Sequence, residues 1–413
     1  MKNNILIFIL VSVLAAGCEK EPGEDYVLKF YGDALEDIGY SVAIAPDGYI
    51  LAGQYNIIIR DNGIINRELS NKDLAVIKTD WSGNVKWEVI AGGKYTDWGK
   101  KIFQLGDGSM ICVGTYTDSI SSARLETDIF AVKLSSAGEI LWQKTYGGTG
   151  SQPGIDGNQT GIDILLTAGG FIIIGSTDEE RAQQGADLGN IGGKTDIYLL
   201  KISDSGDRLS FRPYGYPNND TGAAIKQDIG GNYVVYGSTE QSDPGMGKSN
   251  LIIFKIDDFL NVYDENIIGD ASDEYAADFE VQGNGYLLAG TIGKETDVQE
   301  AFLRIVNYDL QTSVDPALPF KIQGSSTSVR AMTPYGTDQY AVAGSSGSGS
   351  AGDILVFITD ASGRPVEGKF KISGSTGLQM AYDVVSGDDD YIIAVGKNSY
   401  DYNSLITLLK FRF

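Results

Sequence analysis

One phrase organises this sequence and returns seven times: a turn, then an apolar run, then a glycine. It reads Tyr49-Ile50-Leu51-Ala52-Gly53, Met110-Ile111-Cys112-Val113-Gly114 and Phe171-Ile172-Ile173-Ile174-Gly175, and it recurs at 233–237, 286–290, 340–344 and 391–396. Successive copies lie about 50 to 60 residues apart, the period of a repeat architecture rather than of a single wound domain. A second phrase follows each copy, opening on an acid or amide and running apolar: Asp73-Leu74-Ala75-Val76-Ile77-Lys78, Asp128-Ile129-Phe130-Ala131-Val132-Lys133 and Asp196-Ile197-Tyr198-Leu199-Leu200-Lys201. Residues 250–255 and 353–358 repeat the form, and 300–305 and 404–410 carry weaker versions. Short continuous apolar runs, rich in Val and Ile and bounded by Gly, are the pattern of strands buried on both faces.

Each unit therefore reads as four short strands. The first alternates, as at 40–45; the second and third are the two apolar phrases. The fourth alternates and carries an aromatic, as in Val85-Lys86-Trp87 after Asp80-Trp81-Ser82-Gly83, and in Ile140-Leu141-Trp142 after a turn at 135–138. The 53 glycines against 10 prolines supply the tight turns such a chain needs. The pattern predicts an all-β fold, a β-propeller of about seven four-stranded blades. Tyr26-Val27-Leu28-Lys29-Phe30-Tyr31-Gly32 matches a fourth strand such as Trp142-Gln143-Lys144-Thr145-Tyr146-Gly147, while Phe413 follows a third strand. The N-terminal strand is thus expected to pair into the last blade and close the ring, leaving no open edge there.

Three segments are expected. Residues 1–17 read as an export signal, with Lys2, an apolar run at 5–14 too short to span a membrane comfortably, and small residues before a cut. Residues 18–25 form an acidic tether, and 26–413 the propeller. Ala15-Ala16-Gly17-Cys18 resembles a bacterial lipobox, which implies lipidation of Cys18. Glu19-Lys20-Glu21-Pro22-Gly23-Glu24-Asp25 is similar to the acidic stretch after the lipidated cysteine of surface lipoproteins in Bacteroidota-type bacteria. That resemblance implies anchoring at the outer membrane, facing the cell surface, with the periplasmic face as the alternative.

The phrases at 80–87 and 138–142 are similar to the Gly-x-x-x-Trp docking phrase of quinoprotein-type and outer-membrane-assembly propellers. The whole unit looks closer to the propeller repeats of bacterial secreted lipoproteins, over nearly all of the chain after Asp25. Two units keep the tryptophan, Phe211 stands where a third would be, and those families have eight units. A vicinal cysteine pair is absent from the sequence, so no quinone cofactor carries over; no cofactor or metal is expected.

The chain has no histidine, which removes Ser-His-Asp and Cys-His nucleophiles, His-ligated zinc and imidazole proton shuttles. Its net charge of −23 repels phosphate backbones, so nucleic acid is not an expected partner. Cys112, inside an apolar phrase, reads as a small buried hydrophobe.

Between blades a glycine turn is followed by an acid: Asp37, Asp97 and Asp220, with Gln159 and Asp273 as variants. The repeat places them at one end of the ring, either as an acidic rim for a cation or sugar hydroxyls, or as caps on their own turns. The connections after the second strands are long in the first three units, at 54–72, 115–127 and 176–194. Loops on rigid scaffolds carry function. Those connections hold Tyr55, Arg60, Tyr116, Asp118, Arg124 and, in the third, Asp178 to Arg181. The acidic run Asp388-Asp389-Asp390 reads as a solvated turn. The expected function is a non-enzymatic protein-interaction or ligand-binding module, its partner a membrane or secreted protein. The alternative is a carbohydrate-binding or carbohydrate-active protein with rim carboxylates and loop aromatics on a glycan.

Overall fold

A computed structural model describes residues 26–32, 36–57, 60–61, 64–65, 71–120, 125–147, 158–178, 195–241, 246–293, 298–312, 319–348, 351–374, 377–387, 390–400 and 403–413. The seven copies of the repeat form seven antiparallel blades. Their first strands are Ile38–Ala45, Trp98–Gln104, Gln159–Thr167, Asp220–Gln227, Glu274–Gln282, Thr327–Tyr335 and Gln379–Ser386. Each packs against the first strand of both neighbours, which sets them around a central axis. The apolar phrases become the second and third strands, as in Gly170–Thr177 and Asp196–Ile202, and side chains such as Ile173 and Leu199 are wholly buried.

The core is not one mass but seven layers, one between each pair of neighbouring blades. Ile111, Val113 and Ile129 of blade 2 meet Phe171, Ile173 and Tyr198 of blade 3, for example. A continuous apolar run is what such a strand needs, because both of its faces look into a layer. Cys112 lies in the layer between blades 1 and 2 as a free thiol whose pKa burial pushes up.

Ring closure follows the expectation. Val27–Tyr31 pairs antiparallel with Asn403–Phe411, Val27 opposite Lys410 and Tyr31 opposite Ile406, and becomes the fourth strand of blade 7. In blade 5, among the described residues, Glu274–Gln282, Gly285–Ile292 and Glu300–Asn307 form a three-stranded sheet. Its edge is covered by isolated pairings of Phe320 with Ala301 and Thr312 with Val306. Pro319 stands beside that edge and cannot donate to a ladder.

The turn between third and fourth strands follows one pattern in blades 1 to 6. In blade 1, the Asp80 amide donates to the Asn84 carbonyl at 2.9 Å and the Gly83 amide to the Asp80 carbonyl at 3.1 Å. The turn's fourth residue has positive φ, 76° at Gly83 and 85° at Gly138. At Gly138 close approach also matters: a Cβ there would stand 2.8 Å from the Trp87 ring of the preceding blade. This is the docking that the tryptophan phrase anticipated. Blade 4 and blade 5 place Leu260 and Leu310 in the same conformation, at 64° and 57°, and both side chains are buried.

Every first strand carries a β-bulge at the same place, between Gly39 and Ser41, Gly99 and Lys101, Gly161 and Asp163, and so on to Ala381 and Asp383. A bulge re-aims the residues beside it. Here it aims them toward the axis and the neighbouring blade.

Candidate functional site

The acids at the blade starts are deeply buried. Asp37, Asp97 and Asp220 are at most 1% exposed. Asp37 accepts the Asn56 amide at 2.7 Å. Asp97 accepts the Thr117 amide at 2.7 Å and the Gly93 amide at 2.6 Å, and Asp220 accepts the Tyr216 amide at 2.6 Å. Each therefore ties a connection to the blade start. Asp273 lies one residue before the equivalent position, which Glu274 occupies. Asp273 accepts the Lys248 amide at 2.7 Å, while Glu274 is buried and paired with Arg304 at 2.9 Å.

Two of these acids sit against a second carboxylate from the preceding third strand. A Cβ on Gly92 would lie 2.6 Å from Asp97 Oδ2 and 2.7 Å from Asp73 Oδ1; one on Gly215 would lie 2.3 Å from Asp196 Oδ1 and 2.6 Å from Asp220 Oδ2. Burial pushes the Asp97 and Asp220 carboxyls up to about 6, against the amides that hold them. Burial, with the neighbouring acid, does the same to Asp73 and Asp196. Burial also lifts Glu274 to about 7, against the pull of Arg304.

Of the loop residues, Tyr55 and Tyr116 are strand residues seated on the core. Tyr55 packs against the layer between blades 7 and 1, and Tyr116 packs on Phe130 with ring centroids 5.4 Å apart. Cys18, Arg124 and Arg181 lie outside the described residues. The connection expected at 115–127 is largely a ladder, because Met110–Ile120 runs on and pairs with Leu125–Leu134. Its Thr and Tyr residues favour strand over loop.

The axis holds a set of charges that sequence reasoning did not single out. Asp163, Asp278 and Asp383 follow the bulges of blades 3, 5 and 7, and each accepts an amide of the next blade. Asp163 takes Ile225 at 2.9 Å, Asp278 takes Met332 at 2.9 Å and Asp383 takes Val42 at 3.0 Å. In blade 1 the Ser41 hydroxyl fills this role for the Ile102 amide at 3.2 Å, and itself donates to Asp383 at 2.7 Å. Blades 2, 4 and 6 carry Lys101, Ala224 and Ala331 there. Lys101 reaches the two Asp383 oxygens at 3.1 and 3.2 Å, and Lys226 reaches Glu280 at 2.7 Å and Asp278 at 3.3 Å. Burial opposes the Lys101 charge, but Asp383, Asp163 and Asp278 outweigh it and hold the ammonium above its ordinary pKa. Lys100 stands 4.4 Å over the Tyr40 ring; burial and then Arg330 bring it down to about 8. The readable signal was a charge one or two residues past the small residue of the first strand in blades 2, 3, 5 and 7, where an alternating strand would otherwise hide it.

Among the described residues no group of three His, Cys, Asp or Glu side chains is arranged to hold a metal ion. The clefts are open and shallow. One of about 270 Å³ lies on blade 4 against Asn232, Tyr233 and Tyr263, and one of about 440 Å³ lies between blades 5 and 6 against Gln282 and Tyr340.

No family model and no curated protein matches the chain. Among solved structures it is similar to puromycin hydrolase, at 11% identity and a TM-score of 0.52, over 90% of this chain and 51% of that one. It therefore spans about half the length of that hydrolase. It is also similar to the WD40 domain of Neurospora crassa Pan2, at 10% identity and a TM-score of 0.49, over 90% and 88% of the two chains. At 11% identity the likeness to the hydrolase shows the β-propeller fold alone.

Proposed function

We propose that this protein works by binding a partner rather than by turning over a substrate, as a propeller held at the outer membrane by lipid on Cys18. One observation supports the first half. Without histidine, carboxylates are the main candidates for acid–base work. Yet Asp37, Asp97 and Asp220 are engaged on backbone amides, and the axial Asp163, Asp278 and Asp383 on the amides of the next blade. They hold the ring together. The open ends of the disc are then left for recognition.

The anchor rests on the lipobox-like 15–18 segment and the acidic tether. The partner is a membrane or secreted protein. The test is affinity purification from mildly solubilised membranes, with Cys18→Ala alongside. The expected result is one near-equimolar protein with the wild type, and a variant that leaves the membrane fraction. A wild-type protein that comes down alone overturns the partner, and a variant that stays on the membrane overturns the anchor.

A further inference from the structure

The repeat supplies an internal control for asymmetry. In the turn between third and fourth strands, the third position holds Ser82, Ala137, Ser205, Asp309 and Ser362 in five blades. Blade 4 places Phe259 there, and this residue is 77% exposed. The turn between first and second strands gives the same contrast. Blades 2 and 4 share a bond pattern, Leu105 amide to Ser109 carbonyl and Asp228 amide to Asn232 carbonyl. Blade 2 has Gly106 at the next position and blade 4 has Ile229, 74% exposed. Among the described residues no large hydrophobic is more exposed than these two.

Both turns lie at one end of blade 4 and border the cleft of about 270 Å³ lined by Asn232, Tyr233 and Tyr263. The rings are held in place: the Tyr263 hydroxyl donates to Asn232 Oδ1 at 2.8 Å and that of Tyr233 to Asp258 at 3.1 Å. Asp257 accepts the Phe259 and Asn261 amides, each at 2.8 Å, so Phe259 projects from a fixed turn. A rigid aromatic anchor loses little freedom on binding. Acids also border the cleft, at Asp257 and Asp258; Lys201 pairs with Asp258 Oδ1 at 3.2 Å, and the Asp258 side chain stays 69% exposed.

We infer that this end of blade 4 is a docking seat for a protein segment that presents an apolar side chain flanked by Lys or Arg. The inference rests on the binding function proposed above and gives it a surface and a partner chemistry. A second copy of the chain is the wrong occupant, since both would carry −23. An anionic bilayer is disfavoured by the same acids.

The test uses the wild-type protein and an Ile229→Ser, Phe259→Ser double variant, both checked for an unchanged melting curve. Three labelled 12-residue peptides serve as probes: alternating Leu and Lys, alternating Leu and Glu, and alternating Ser and Lys. Fluorescence anisotropy is expected to show binding of the Leu–Lys peptide alone, weakened at least tenfold by the double variant. Because that variant keeps every charge, the loss reports the apolar seat. Amide exchange is expected to slow at 228–233 and 257–263 on adding that peptide. Equal binding by wild type and variant, or of all three peptides, or of none, overturns the seat. A membrane partner that still co-purifies with the double variant also overturns the seat, while leaving the binding function standing.

Discussion

The Tyr31 hydroxyl donates to the Gly83 carbonyl at 2.9 Å, and the Tyr146 hydroxyl makes the same bond to Gly206 at 2.8 Å. One tyrosine comes from the N-terminal strand and the other from the middle of the chain, yet both end a fourth strand and tie it to the next blade's turn. The closing strand is bound as an ordinary member of the repeat. Tyr31→Phe is expected to cost about 1 kcal/mol, the value of one hydrogen bond. Deleting 26–32 exposes the edge of Asn403–Phe411 and opens the layer that holds Tyr31 and Leu408. Thermal melting of that deletion is expected to be lower and broader than wild type; an unchanged melt rejects closure by this strand.

Asp383 is the most heavily used of the axial acids. Asp383→Ala strands the Val42 amide, the Ser41 hydroxyl and the Lys101 ammonium together. Lys101 keeps 36% of its side chain exposed, so solvent recovers part of its charge. A loss of about 2 to 3 kcal/mol in denaturant unfolding is expected. Removing Lys101 as well, as Lys101→Met, is expected to give a double-mutant coupling of about 1 kcal/mol or more.

Stability should rise on mild acidification. The Asp73, Asp97, Asp196 and Asp220 carboxyls move from 3.8 up to about 6 on folding. The folded protein holds those protons more tightly, so their contribution is full below the unfolded value and is lost as pH climbs through about 6. Turn acids such as Asp80, Asp257 and Asp360 shift the other way and lose their contribution below about pH 4. Melting temperature is therefore expected to peak between about pH 4 and 6, and Asp97→Asn should flatten the alkaline side. A maximum above pH 7 contradicts this.

Two glycines separate backbone strain from collision. Gly138 has φ of 85° and Trp87 beside it; Gly368 has φ of 74° with open space around it. Both alanine variants carry the strain of a positive φ, on the order of 1 kcal/mol. Only Gly138→Ala must also push the indole aside, and its melting temperature is expected to fall further.

The blades were legible because their second and third strands face a core layer on each side, so apolar residues run on without a break and stop at glycine. The closing strand was legible because Tyr26 to Gly32 repeats the form of Trp142 to Gly147. The axis was not. Which first-strand residue faces it depends on a bulge, and a bulge leaves no residue type of its own: its first residue is Tyr40, Lys100, Ile162 or Ala223 in successive blades. The burial of Asp37, Asp97 and Asp220 was equally hidden, since a turn acid has the same spacing whether it meets water or a backbone amide. Phe259 and Ile229 escaped notice for a related reason. A single apolar residue in a turn stands out only after the turns have been superposed.

At the residue after the first-strand bulge two kinds of blade alternate around the axis, one whose side chain accepts an amide of the next blade and one, with Lys101, Ala224 or Ala331, whose side chain does not. An odd ring cannot alternate without placing two of a kind side by side. Here the mismatch falls between blades 7 and 1, where Asp383, Ser41 and the Ile102 amide make a relay across three blades. That is also where Val27–Tyr31 pairs with the last strand, Asn403–Phe411. Parity requires one such mismatch, found here at the seam, and a ring with one blade fewer, built from the same alternating repeats, would have no such latch.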